Sequence, residues 1–212
     1  MSLSPHARAV VRIHAWQTPA RLARYRYRLG FEINSAGRGR ALFIGLNPST
    51  ASLTRRDPTV DVCCRGLALR AGFRELEMCN LFALRSTDKS ALATAPDPVG
   101  PAHDAHLRAA LRTADAVVLC WGRLFHPRVA ERVAAVSRLL AQCAAPRFVI
   151  AWNDDGSPRH PLYQPLDRPL VLISAGAAPR RVTARARPPA ASHASPVARP
   201  AGRGPSRPAR TD

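Results

Sequence analysis

Residues 41–51 read ALFIGLNPSTA. A strand with one wet face alternates apolar and polar residues. The run 41–46 does not alternate, so it reads as a strand covered on both faces. It stops at Asn47-Pro48. Proline fixes its own φ and pushes the residue before it out of the helical region. Two hydroxyls, Ser49 and Thr50, follow the turn.

Outward from this strand the chain alternates in type. Residues 25–33 (YRYRLGFEI), 76–82 (LEMCNLF), 116–122 (AVVLCWG), 147–152 (RFVIAW) and 169–174 (PLVLIS) read as strands. Residues 59–72, 100–114 and 127–143 read as helices. In the last of these, Val129, Val133, Val136 and Leu140 form one apolar stripe. Helices alternating with buried strands predict a three-layer α/β/α sandwich with a mainly parallel central sheet. In such a sheet ligands sit beyond the C-terminal strand ends. That rim collects Asn47, Asn80, Trp121 and the loop that follows Trp152.

The 212 residues carry a net charge of +18, almost all from arginine, since Lys89 is the only lysine. A field of that sign attracts polyanions such as nucleic acid or acidic lipid surfaces; biased codon usage gives the same composition. Three segments are expected: an N-terminal arm over 1–21, a single α/β domain over 22–174 and a disordered tail over 175–212. The tail holds eight arginines, seven prolines and one acid, and lacks the apolar surface to offset its ordering entropy. No run is long enough to span a membrane, and the N-terminus lacks a signal-peptide core. Five cysteines without a CxxC pair read as reduced, mostly buried thiols of a cytoplasmic protein. His103 and His106, three apart on a helix, have no further ligands in register and read as solvated surface. No metal and no cofactor is expected: the stretch after Leu46 lacks the glycines and the lysine of a phosphate-binding loop. Oligomeric state is not legible.

Each candidate has a plain structural alternative. Asn47 can orient a water or close an Asx-turn. Asp57, followed by Pro58, can position a water or cap a helix. Asn80 can donate to and accept from a base edge, with Phe82 or Trp121 stacking on it, or all three can serve the core. Ser49, Thr50, Arg55, Arg56, Arg123 and Arg159 are candidates for phosphate. His160, between prolines in SPRHPLY, can stabilise an anionic leaving group or sit on a surface turn.

In this order, LFIGLNPSTA, RDPTV, NLFALRSTD, DPVGPAHD, VVLCWG and GSPRHPLY resemble domain-of-unknown-function family 1643. The segments GRLFHP and FVIAWNDDG depart from that family's pattern, as does the Arg/Pro-rich ending. More distantly, the order GLNPS, CNLF, VVLCWG, HPLY is similar to the motif order of the uracil-DNA glycosylase superfamily. That resemblance implies a glycosylase-like fold and a metal-free N-glycosidic hydrolase. Asn47 would orient the water, Asn80 would read the base, His160 would stabilise the departing base, and Leu162 or Tyr163 would wedge into the duplex. The alternative is a binding module that holds a nucleotide or nucleic acid without cleaving it.

Overall fold

The computed structural model describes residues 15–18, 24–49, 51–52, 55, 57–162 and 164–173. Its strands are β1 (Ala15–Thr18), β2 (Arg28–Glu32), β3 (Arg40–Gly45), β4 (Glu75–Asn80), β5 (Ala116–Leu119), β6 (Arg147–Val149) and β7 (Val171–Ile173). They form one sheet in the order β1-β2-β4-β3-β5-β6-β7. A π-helical stretch, Pro58–Cys64, runs into α1 (Arg65–Arg70); α2 (Ala91–Thr94), α3 (His103–Thr113) and α4 (Pro127–Ala141) follow.

The fold is α/β and the sheet is mixed. The centre, β4-β3-β5-β6, is parallel, while β1, β2 and β7 are joined antiparallel. This corrects the mainly parallel sheet expected from the alternation of elements. Parallel neighbours need a long crossover, usually helical. Helices stand before β4, β5 and β6, whereas among the described residues no helix lies between β6 and β7, and there the chain turns back. Ala15–Thr18, inside the segment read as an arm, forms an edge strand. The tail over 175–212 lies outside the described residues.

β3 has the two covered faces that its apolar run predicts. Leu42, Ile44 and Leu46 pack with Leu107 and Leu111 of α3 and with Val129, Val133, Val136 and Leu140 of α4. Ala41 and Phe43 pack on the opposite side with Val60, Cys64, Leu67 and Ala68 of the π/α1 segment. The alternation is the period-2 geometry of a strand. Arg132, buried on α4, donates to the carbonyl of Leu81 at 2.6 Å and pairs with Asp104 of α3 at 2.5 Å. It thereby fixes the chain just beyond β4. The five cysteines are free, and four of them are buried. Among the described residues no helix is long and apolar enough to cross a membrane.

The connection from β3 leads to β4 on one side, and the connection from β5 leads to β6 on the other. The gap between β3 and β5 is therefore a topological switch point, where loops diverge and leave a crevice at the strand C-termini.

Candidate functional site

A cavity of about 200 Å³ opens at that crevice. Asn47, Ser49, Asp57, Asn80 and His160 line it together with Arg26, Gly45, Met78, Lys89 and Cys120. These five candidates therefore meet from four separate segments: the chain just after β3, the start of the π-helix, the end of β4 and the loop after β6.

Asn80 is the last residue of β4 and is 3% exposed. Its Nδ2 is buried and has no hydrogen-bond partner. Its Oδ1 lies over Gly45 on the neighbouring strand, 2.8 Å from where a Cβ would stand. Only a glycine leaves room for the amide there. Behind Asn80 stands His103, fully buried, whose Nε2 donates to the Asn80 carbonyl oxygen at 2.7 Å. Burial pushes the His103 pKa down to about 4, against the opposing pull of that bond. The surface reading of His103 is thus corrected: the ring is a neutral prop under β4. His106, one turn on, stacks on Tyr27 with ring centres 4.8 Å apart.

The Asn47 amide is tied down on its nitrogen side. Nδ2 donates to the carbonyl of Ser86 at 2.8 Å and to that of Pro48 at 3.1 Å, with Leu84 O further off at 3.5 Å. Asn47 thereby clamps the loop after β4 onto the end of β3. Both donors are spent on this clamp, which leaves Oδ1 to act as an acceptor. Asp57 is 8% exposed and does cap the π-helix: its Oδ1 accepts from the N–H groups of Thr59 and Val60. It also lines the cavity, so the capping and cavity roles fall on one residue.

His160 reaches the cavity through the Trp121-Gly122 turn. Gly122 has φ +83° and its N–H bonds to Pro158 O at 3.0 Å. A Cβ at Gly122 would meet the His160 Cβ at 3.4 Å, so the two segments lie in contact. Gly122→Ala should cost about 1–2 kcal/mol from its left-handed backbone alone, read as a lowered urea midpoint. His160 Nδ1 accepts from the Leu162 N–H at 3.2 Å, which puts the hydrogen of the neutral ring on Nε2. Burial holds its pKa below the ordinary histidine value; Lys89 acts in the same sense and Asp57 opposes. The ring is a neutral donor at pH 7.

Other candidates are not brought to the cavity. Phe82 is fully buried and Trp121 is 5% exposed; both belong to the core on the α3/α4 face. Neither can stack on a ligand in the cavity, because the chain beyond β4 and β5 turns down into that core. Arg123 pairs with Asp154 at the surface. Arg159 donates to Trp152 O at 3.2 Å. Arg55 is exposed in the turn closed by its bonds with Ser52. Thr50, Arg56 and Tyr163 lie outside the described residues. Among the described residues no group of three or more His, Cys, Asp or Glu is placed to hold a metal ion.

Two cavity residues have no counterpart in the rim drawn from sequence. Lys89, the only lysine, stands near enough to His160 to act on its titration. Arg26, just before β2, is 2% exposed. Its Nη1 donates to Ala51 O at 2.6 Å, and its Nε has no partner. Burial pushes its pKa down to about 10, with Arg85 adding to the effect and Asp57 and Cys79 opposing.

No curated protein and no solved structure matches the chain. A family model described as "Protein of unknown function (DUF1643)" matches residues 26–162, a span that takes in every residue of the cavity from Arg26 to Pro161. The chain belongs to that family.

Proposed function

We propose that the cavity takes a single nucleobase, extruded from nucleic acid or carried by a nucleotide, and that the chain hydrolyses its N-glycosidic bond. The observation that carries this reading is the meeting of Asn47, Asp57, Asn80 and His160 on one cavity, with the Asn80 Nδ2 buried and unpaired. A buried amide N–H without an acceptor costs free energy that a ligand carbonyl can recover. The cavity is smaller than the ~300–1,000 Å³ of drug-sized ligand sites, which suits one heterocycle.

In this reading Asn80 donates to a base oxygen. The neutral His160 donates from Nε2 to the oxygen on which negative charge develops. Asn47 Oδ1 and the Asp57 carboxylate hold the water. The water oxygen bonds to C1′ as the C1′–N bond breaks, and the pair of electrons leaves with the base. The surplus water proton passes through Asp57 to solvent, and the base anion is protonated from solvent. The sheet, with helices packed against both faces, is read as a three-layer, glycosylase-like sandwich. Partial support for a nucleic-acid partner comes from the same rim, where exposed Phe125 and Trp152 accompany Arg123 and Arg159.

The test offers the purified chain oligonucleotides with uracil or damaged bases, and the corresponding nucleotides, and reads abasic sites or released base. Wild type should release base; Asn80→Ala and His160→Ala should not, while keeping their circular dichroism. Salt-sensitive binding by all variants without release would replace hydrolysis with a binding module.

A further inference from the structure

Arg26 is unusual among the ionised groups of the site. Buried charges are normally paired, because desolvation costs several kcal/mol per ion unless a counter-charge and hydrogen bonds repay it. Elsewhere this rule holds: in the sheet buried Glu77 pairs with Arg28, and on the helices buried Arg132 pairs with Asp104. Arg26 is buried as deeply, lines the cavity, and has no carboxylate within ion-pair distance among the described residues. Its Nη1 donates to a neutral carbonyl, and its Nε is unpartnered. A second guanidinium stands nearby. Arg85 adjoins Ser86, whose carbonyl the Asn47 clamp holds, and Arg85 Nη1 is likewise buried without a partner. Tyr25 bridges Leu84 antiparallel, the Arg26 N–H donates to Ala83 O at 2.9 Å and the Arg85 N–H to Arg24 O at 3.0 Å, so Arg26 and Arg85 stand diagonally on one side of this pairing. Like charges gathered in and beside one cavity repel; Asp57, on the same cavity, offsets part of that repulsion but is not in ion-pair contact with Arg26.

We infer that Arg26, which lines the cavity, and Arg85, beside the lining residue Ser86, form an anion subsite at the cavity's edge, built for a phosphate group of the ligand. The inference rests on the reading of the cavity as the ligand site and adds the ligand's charge to it. Two guanidiniums, each with a buried and unpartnered N–H group, match phosphate oxygens better than a neutral ring does. The phosphate is that of a mononucleotide or of a nucleic-acid backbone; the chemistry of recognition is the same.

The test is calorimetric titration of the full chain at low salt with inorganic phosphate, a nucleoside, the matching nucleoside 5′-monophosphate and a short single-stranded oligonucleotide. Wild type should bind phosphate. Arg26→Met and Arg85→Gln should weaken it about tenfold or more, the loss of one charge-assisted hydrogen bond. Arg138→Gln, which removes an exposed charge from α4, should leave it unchanged. A tighter monophosphate than oligonucleotide assigns the subsite to a free nucleotide; the reverse assigns it to a backbone.

The free protein supplies an independent reading. If the Arg26 charge exists for a ligand, Arg26→Met should melt at or above the wild-type temperature. A large fall in melting temperature would make Arg26 a structural residue and overturn the inference. So would phosphate binding that Arg26→Met or Arg85→Gln leaves intact, or no phosphate binding by wild type. Nucleoside binding that survives in Arg26→Met, with phosphate binding absent from wild type, would overturn the subsite and spare the base pocket. Phosphate binding lost in Arg26→Met, with no nucleoside bound by wild type, would do the opposite.

Discussion

Asn47→Asp should destabilise the protein more than Asn47→Ala does, by about 2–4 kcal/mol against about 1–2. The two side chains are nearly isosteric, and an acid would serve as well as an amide to hold a water. The difference lies on the nitrogen side. There Nδ2 faces the carbonyls of Ser86, Pro48 and Leu84. Alanine only removes the donors. Aspartate puts an anionic oxygen against carbonyl oxygens at hydrogen-bond distance. The introduced carboxylate is relieved when protonated, because it then has one O–H to donate. Its pKa is therefore raised, and the stability it confers is lost as pH rises. Urea unfolding at acid and at neutral pH should show the deficit of Asn47→Asp widening toward neutrality, while that of Asn47→Ala stays constant. Equal deficits at both pH values would mean that the amide clamp does not hold the loop.

Acidification should cost the wild-type protein about 2–3 kcal/mol between pH 7 and pH 4.5 through His103. In the unfolded chain the ring takes a proton near pH 6.5. In the folded chain it resists protonation until about pH 4. Throughout that window the unfolded state binds more protons, so the stability is fully present above the unfolded value and is lost as pH falls. The structural cause is specific: the ring is fully buried, and its Nδ1 has no partner for the proton it would carry. His103→Gln keeps a donor for the Asn80 carbonyl but does not titrate. Its stability should fall less over the same range in parallel urea titrations. His160 contributes in the same direction in both proteins, so the difference between them isolates His103. Asp104 titrates lower still, since Arg132 holds its carboxyl below the usual range against the upward push of burial.

Much of the sheet is legible because burial writes itself into the sequence. The unbroken apolar run of β3 and the stripe on α4 specify their elements and their covered faces. Strand direction leaves no such mark. The antiparallel placement of β2 follows from which neighbours it meets, and no local pattern encodes it. That single omission also hid part of the site. A rim drawn from C-terminal strand ends finds Asn47 and Asn80 but passes over Arg26. Because β2 opposes β4, with Leu29 facing Met78, the start of β2 lies at the end of the sheet where β4 finishes. Arg26 reaches the cavity from the front of its strand. Between the stacking and the core readings of Phe82 and Trp121, burial selects the core, and sequence leaves that choice open for a related reason. An aromatic beyond a strand end looks available in sequence, but whether it turns to the rim or to the core depends on helices packed from far along the chain. The role of Lys89 had one faint signal, its being the only lysine among so many arginines.

The close approach of the Asn80 amide to Gly45 makes the inner wall of the cavity a matter of one missing carbon. Any side chain at Gly45 would drive the amide outward, as a spacer pushes a drawer forward, and the void behind would be lost to a ligand. The depth to which a planar ring can enter is therefore set on β3 by an absent methyl group, so ligand size and ligand reading are linked. A chain of this architecture that enlarges the residue at Gly45 must shorten or turn the one at Asn80, and so must read a different molecule.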